Sequence, residues 1–156
     1  MNRDKIAVLY KKYELTESDV FKHKHYLIVT RQGIDKIQAK EKIFITYDAV
    51  SVNPEFCVVK AKAEKGDVMI QTFGSAKYGG KKQDPDTKKW VEVGNTTTWY
   101  VMEMAEKRAM SRAVLKLTGF YELGVFGEDE SEDFKKPNKW DNLELLKKTF
   151  DLYEQN

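Results

Sequence analysis

Apolar and polar residues change rhythm along this chain, and each rhythm predicts a different element. Between residues 43 and 76 the period is two. Ile43-Phe-Ile-Thr-Tyr-Asp-Ala-Val-Ser-Val52 is rich in β-branched and aromatic residues, Asn53-Pro54 breaks it, and Phe56 to Ala63 alternates Cys57, Val59, Ala61 and Ala63 with Val58, Lys60 and Lys62. Glu64-Lys-Gly-Asp67 reads as a turn, and Val68 to Ala76 as a returning strand. Period-two runs separated by short turns predict three successive antiparallel strands, a β-meander.

From Trp99 to Thr118 there is no Gly or Pro, Asn95-Thr-Thr-Thr98 offers N-caps ahead of the run, and Gly119 stands where a helix ends in a left-handed residue. One long helix is predicted. Ala105, Ala109 and Ala113 recur every four residues, with Met102 and Leu117 near the same face, a stripe that can lie very close to a sheet or another subunit. Other segments are weaker. Residues 1–20 fit a short helix or a loose arm, Tyr26 to Thr30 a short strand, and Arg31 to Lys42, with Ile34 and Ile37, a short helix. Residues 77–96 have no period and read as an exposed, mobile loop or a long hairpin tip. Leu143, Leu146, Phe150 and Tyr153 give the stretch from Trp140 an amphipathic helical face. The expected fold is α+β: a β-β-β meander backed by one long helix, within a core of residues 1–126. An acidic linker (127–139) and a tethered C-terminal amphipathic helix (140–156) follow.

Charge sharpens this division. The net charge is only +2, but residues 1–126 carry 22 basic and 16 acidic side chains, a net +6, while residues 127–156 carry 5 and 9, a net −4. A basic body with an acidic appendage suits a polyanion partner, and a mixed solvated surface is the alternative. The acidic residues 128–133 are placed to compete for a basic groove or to recruit a partner. No apolar run approaches the ~20 residues of a membrane span, and the first residues lack the apolar core of a secretory leader, so no membrane partner and a cytoplasmic location are expected. The single cysteine, Cys57, lies in an apolar strand and is expected to be buried rather than nucleophilic.

Two basic groups carry the candidate chemistry. Arg108, Arg112 and Lys116 repeat every four residues on the long helix, with Lys107 beside them. Each step of such a row advances about 6 Å, close to a phosphate spacing, and arginine forks onto phosphate oxygens. A solvated face paired with Glu103 and Glu106 is the alternative. In the preceding loop, Lys77, Lys81, Lys82, Lys88 and Lys89 interleave with Tyr78 and Trp90. Lysines neutralise phosphates while aromatic rings stack on unpaired bases, the usual construction of a sequence-tolerant single-strand groove.

The run Ala105-Glu-Lys-Arg-Ala109-x-x-Arg112-Ala113, closing at Gly119, resembles the signature helix of phage single-strand annealing proteins. These form the group around Erf, Redβ and RecT, with eukaryotic recombination-mediator relatives. Phe73-Gly74-Ser75-Ala76-x-Tyr78 and Val29-Thr30-Arg31-Gln32-Gly33-Ile34 are similar to small phage members. The resemblance spans roughly residues 25–125. It implies a β-β-β-α core, a homo-oligomeric ring or filament, and single-stranded DNA in a basic groove contacted by Lys107 and Arg108. It also implies annealing in phage-type homologous recombination and DNA repair, in a host bacterial cytoplasm, with a phage exonuclease or host single-strand-binding protein as further partner. Arg112 is one position away from the next arginine of the eukaryotic relatives.

Enzymatic readings find little. A metal-dependent nuclease needs carboxylates on neighbouring strands, whereas the one suggestive string, Asp86-Thr-Lys88, falls in the loop. His23 and His25 have no cysteine or carboxylate cluster beside them, and no phosphate-binding Gly-x-x-x-x-Gly-Lys motif is present. The expectation is a protein without catalytic residues, metal or cofactor. The alternatives are a non-annealing single-stranded nucleic-acid-binding protein, with RNA as well as DNA open, or a small phage interaction or inhibitor protein using its C-terminal helix.

Overall fold

A computed structural model describes residues 3–97 and 99–130. The expected C-terminal helix (140–156) and the acidic stretch beyond residue 130 lie outside the described residues. The elements are α1 (Arg3–Lys12), β1 (Val20–His23), β2 (Tyr26–Val29), α2 (Arg31–Glu41), β3 (Phe44–Val52), β4 (Phe56–Lys65), β5 (Val68–Lys77), β6 (Lys81–Gln83), β7 (Trp90–Glu92), α3 (Val101–Leu117) and β8 (Val125–Gly127). A short 3₁₀ turn, Glu128–Glu130, closes the series. The fold of the described residues is mixed α+β, with three sheets ordered β1-β2-β8, β3-β4-β5 and β6-β7.

The alternating segment forms the antiparallel meander. β3 pairs with β4 from Phe44↔Glu64 to Val52↔Cys57, with an irregularity between Ala49 and Ser51, and β4 pairs with β5 from Phe56↔Lys77 to Lys65↔Val68. Gly66 turns β4 into β5 with a positive φ of 57°. Alternation sends Cys57, Val59, Ala61 and Ala63 to one buried face, and α3 lies across β4 and β5 on that side. The alanine stripe does what its spacing predicts: Ala105, Ala109 and Ala113 are wholly buried. A Cβ on Gly74 would stand 2.3 Å from the Ala105 carbonyl oxygen and 2.4 Å from the Ala109 nitrogen, so β5 and α3 meet backbone to backbone. Thr72 Oγ1 donates to the Ala109 carbonyl at 2.6 Å across the same seam. Alanines bury little each. The larger contribution comes from the wider core, where Tyr10, Phe21, Ile34, Ile37, Leu115 and Phe120 are fully buried, at about 1.5–3 kcal/mol for a large apolar side chain.

Two strands have no counterpart in the sequence reading. β1 is a four-residue partner to β2 through a turn at Lys24, whose φ is 54°, and β8 pairs in parallel with β2 at Leu27↔Val125. Helix α3 begins at Val101 rather than Trp99. Its N-cap, Tyr100, makes no side-chain capping bond, and Asn95 and Thr96, expected among its caps, bond at the base of the hairpin instead. Residues 77–96 form the long hairpin, with β6 and β7 as its arms. Gly127 to Glu130, the start of the expected linker, finish β8 and form the turn that docks on α3. β3 is an edge of its sheet and leaves Phe44, Val50 and Val52 exposed.

Glu41, the last residue of α2, ties three elements together. Its carboxylate accepts from the Tyr13 hydroxyl at 2.5 Å and pairs with Lys12 at 2.9 Å and Lys65 at 2.5 Å. These donors, Lys65 foremost, lower its pKa from 4.5 to about 2. A carboxylate whose pKa is lower in the folded state lends stability that is full above pH 4.5 and is lost as the pH falls through about 2. Both lysines are about half exposed, so screening holds the gain to about 1–2 kcal/mol. Urea unfolding is expected to show Glu41→Gln less stable by that amount at pH 6, with the gap closing towards pH 2. A gap of the same size at both pH values would assign the loss to packing instead.

Candidate nucleic-acid interface

The loop lysines and aromatic residues converge on the hairpin and its base. The Lys77 carbonyl accepts from Asn95 N at 2.8 Å and Thr96 N at 3.0 Å, the Gly80 carbonyl from Val93 N and Gly94 N, and Gly79 N donates to Thr96 O. Gly94 is required there, since a Cβ would meet the Lys77 carbonyl oxygen at 2.4 Å. Asn95 adds side-chain bonds, its Oδ1 accepting from Lys77 N at 2.7 Å and its Nδ2 donating to Ser75 O. At the tip, the Asp84 carboxylate accepts from the amides of Asp86 and Thr87. The long basic segment is therefore held in place at both ends by hydrogen bonds.

On this base the rings of Tyr78 and Trp99 stack, centroids 4.1 Å apart and planes 15° from parallel. Tyr78 is half-buried, whereas Trp99 is 69% exposed. Tyr100 and, on β7, Trp90 are each 70% exposed. Lys77, Lys81, Lys82, Lys88 and Lys89 are all exposed on the same hairpin or its base, with Lys81 opposite Glu92 and Lys82 opposite Val91 in the register. In the sequence, Trp99 and Tyr100 read as the first turn of the helix, which hides them as an exposed aromatic pair. Their signal was the pair of adjacent aromatics following a threonine run where no cap forms.

The helical row is different from its sequence reading. Lys107 is exposed. Arg108 is 4% exposed, and this corrects its expected role: its Nε donates to Asp129 O at 2.6 Å, one terminal nitrogen to Asn95 O at 2.8 Å, and the other to Ser75 O at 3.2 Å and Asn95 Oδ1 at 3.4 Å. A guanidinium spent on three backbone carbonyls is part of the core and is not presented to phosphate. Arg112 donates to Phe73 O at 3.1 Å and pairs with Glu130 at 3.4 Å. Lys116 is exposed, with its ammonium 5.0 Å from the Tyr121 ring centroid. The expected ladder of bare cations is thus interrupted in its middle.

The interrupting group is the turn after β8. Asp129 lies 3.8 Å from Arg31 and accepts from Ser111 Oγ at 3.2 Å, while Glu128 Oε1 accepts from Arg31 N at 2.7 Å in the first turn of α2. Burial raises the pKa of Glu130, with Arg112 opposing the shift. Arg31, which the helix-row reading left out, faces this same group.

Elsewhere Cys57 is buried and its thiol donates to Asn53 O at 3.2 Å. Among the described residues, no group of three or more His, Cys, Asp and Glu side chains is placed to hold a metal ion, and no helix is long and apolar enough to cross a membrane. Comparison with protein-family models, curated proteins and solved structures finds no match.

Proposed function

We propose that this protein binds single-stranded DNA with little sequence preference and promotes the annealing of complementary strands without ATP. The observation that carries the reading is the bare outer face of Trp99, backed by Tyr78 at 4.1 Å, at the base of a lysine-rich hairpin. An unpaired base stacks on such a face whatever its identity, and lysines along the hairpin neutralise the adjoining phosphates. Lys77, Lys81, Lys82 and Lys107 are the phosphate contacts of this proposal, with Tyr78 and Trp99 as the stacking pair. The resemblance of residues 25–125 to phage annealing proteins points the same way and adds a cytoplasmic homo-oligomer as the active form. The open β3 edge with Phe44, Val50 and Val52 is where a second copy would bury apolar surface.

Binding of a fluorescent single strand across a salt titration, with light scattering and later addition of the complementary strand, tests the proposal. Salt-sensitive binding by an assembly that speeds duplex formation is expected, log K falling with log salt by roughly 0.7 per phosphate neutralised. Binding without faster duplex formation would leave a strand-protecting protein, an RNA competitor of equal affinity would remove the DNA preference, and no binding at low salt would discard the nucleic-acid reading.

A further inference from the structure

We propose that Glu128–Glu130 is a built-in competitor for the phosphate path along α3, a stand-in for phosphodiester groups that an incoming single strand displaces, and that Arg31 and Arg112 are the contacts it uncovers. The inference rests on the single-strand-binding reading above and concerns how that site is controlled. Two of three consecutive carboxylates face the partly exposed side chains of Arg31 and Arg112. Asp129 approaches Arg31 at 3.8 Å and Glu130 approaches Arg112 at 3.4 Å. Glu128 takes the Arg31 amide at the start of α2, a position that favours any anion. The turn thus supplies negative charge where a nucleic-acid backbone following α3 would place its own.

The contacts are of the kind that can be exchanged. Both ion-pair distances exceed the ~2.7–2.9 Å of a well-made charge-assisted hydrogen bond, and Arg31 and Arg112 keep 38% and 36% of their side-chain surface exposed. Arg31 Nη1, which Asp129 covers, is buried without a hydrogen bond, while Arg31 Nε pairs with Asp35 at 3.4 Å. Moving the Asp129 carboxylate would open a donor that a phosphate oxygen can satisfy, and at Arg112 phosphate can fork in a geometry that Glu130 does not achieve. The bond that anchors the turn to the core is of another kind: Arg108 Nε holds the main-chain carbonyl of Asp129. Neutral amides at 128–130 retain that carbonyl, so the charge is removable without removing the anchor. A purely structural turn makes the opposite prediction, with stability lost on neutralisation and no gain in affinity.

The test compares the full chain with its E128Q/D129N/E130Q variant, binding a fluorescent oligothymidylate over a salt series and melting each protein. The variant is expected to bind about tenfold more tightly near 0.15 M salt, with a steeper salt dependence, as more cations become available to phosphate. Adding Arg112→Gln to the variant is expected to remove most of that gain. Binding by the variant alone would support the proposal equally. Equal affinity and salt slope in both proteins overturn the competitor while leaving single-strand binding intact, whereas no binding by either at low salt removes both. Should the triple variant melt early, Glu130→Gln alone, with Glu128 and Asp129 in place, is expected to gain two- to threefold, and no gain there overturns the proposal.

Discussion

Replacing Arg108 by methionine is expected to cost the fold on the order of 3–5 kcal/mol, because the side chain is a buried polar junction and its loss takes the donor from two of the main-chain carbonyls it joins. Three segments distant in sequence meet at this guanidinium: the end of β5 through Ser75 O, the hairpin base through Asn95 O, and the turn after β8 through Asp129 O. Ser75 O keeps a second donor in Asn95 Nδ2, so the main loss falls on the partly buried Asn95 and Asp129 carbonyls, at about 1–3 kcal/mol for each group left unsatisfied. Methionine fills similar volume, which keeps a cavity from dominating the result. Arg108→Lys is expected to recover only part of the loss, since one ammonium cannot reproduce a planar fork that points three ways. Thermal unfolding is the measurement, with a fall of roughly 10 °C or more for the methionine variant. An unchanged midpoint together with weakened DNA binding would return Arg108 to the interface and remove it from the core.

Arg108 also marks where sequence reasoning stops. Helical periodicity grouped it with Arg112 and Lys116 four and eight residues on, and a charged row at that spacing is ordinarily a surface. Yet Arg108 is three residues from Ala105 and next to Ala109, at the rim of the stripe that meets β5 closely enough to require Gly74. Its carbonyl partners come from positions 75, 95 and 129, and no local pattern encodes which backbone groups will lack a partner there. The same limit hid β8, a three-residue strand whose partner lies 98 positions earlier at Leu27. It hid β1 as well, where Lys24 takes the left-handed conformation that a turn glycine or asparagine would have announced. Where both signal and partner are local, sequence pattern and structure agree. Alternation set the faces of β4 and β5, Gly66 the turn between them, and the alanine stripe the buried side of α3. The lysine-bearing hairpin was legible from composition. The stacked aromatic pair at its base was not, because Tyr78 and Trp99 are brought together by hydrogen bonds between residues 77–80 and 93–96 that composition does not reveal.

The pair separates the two physical components of single-strand binding. Trp99→Ala is expected to weaken binding of an oligonucleotide by about 10- to 100-fold, the equivalent of one stacked base at roughly 1–3 kcal/mol. Because Trp99 is 69% exposed, its removal takes little from the core, and the melting midpoint is expected to stay within about 2 °C, as for most surface substitutions. No charge is removed, so the slope of log K against log salt is expected to remain that of the wild type. Changing Lys81 and Lys82 together to alanine is expected to do the reverse, flattening the slope by about one unit or slightly more while leaving the stacking surface in place. Trp99→Phe, with a smaller face on the same Tyr78 support, should fall between wild type and alanine, and duplex DNA, whose bases are already stacked, should bind Trp99→Ala and wild type alike. If Trp99→Ala instead flattens the salt slope, or binds single strands within twofold of wild type, the exposed indole is not a base platform and affinity would have to come from the lysines alone.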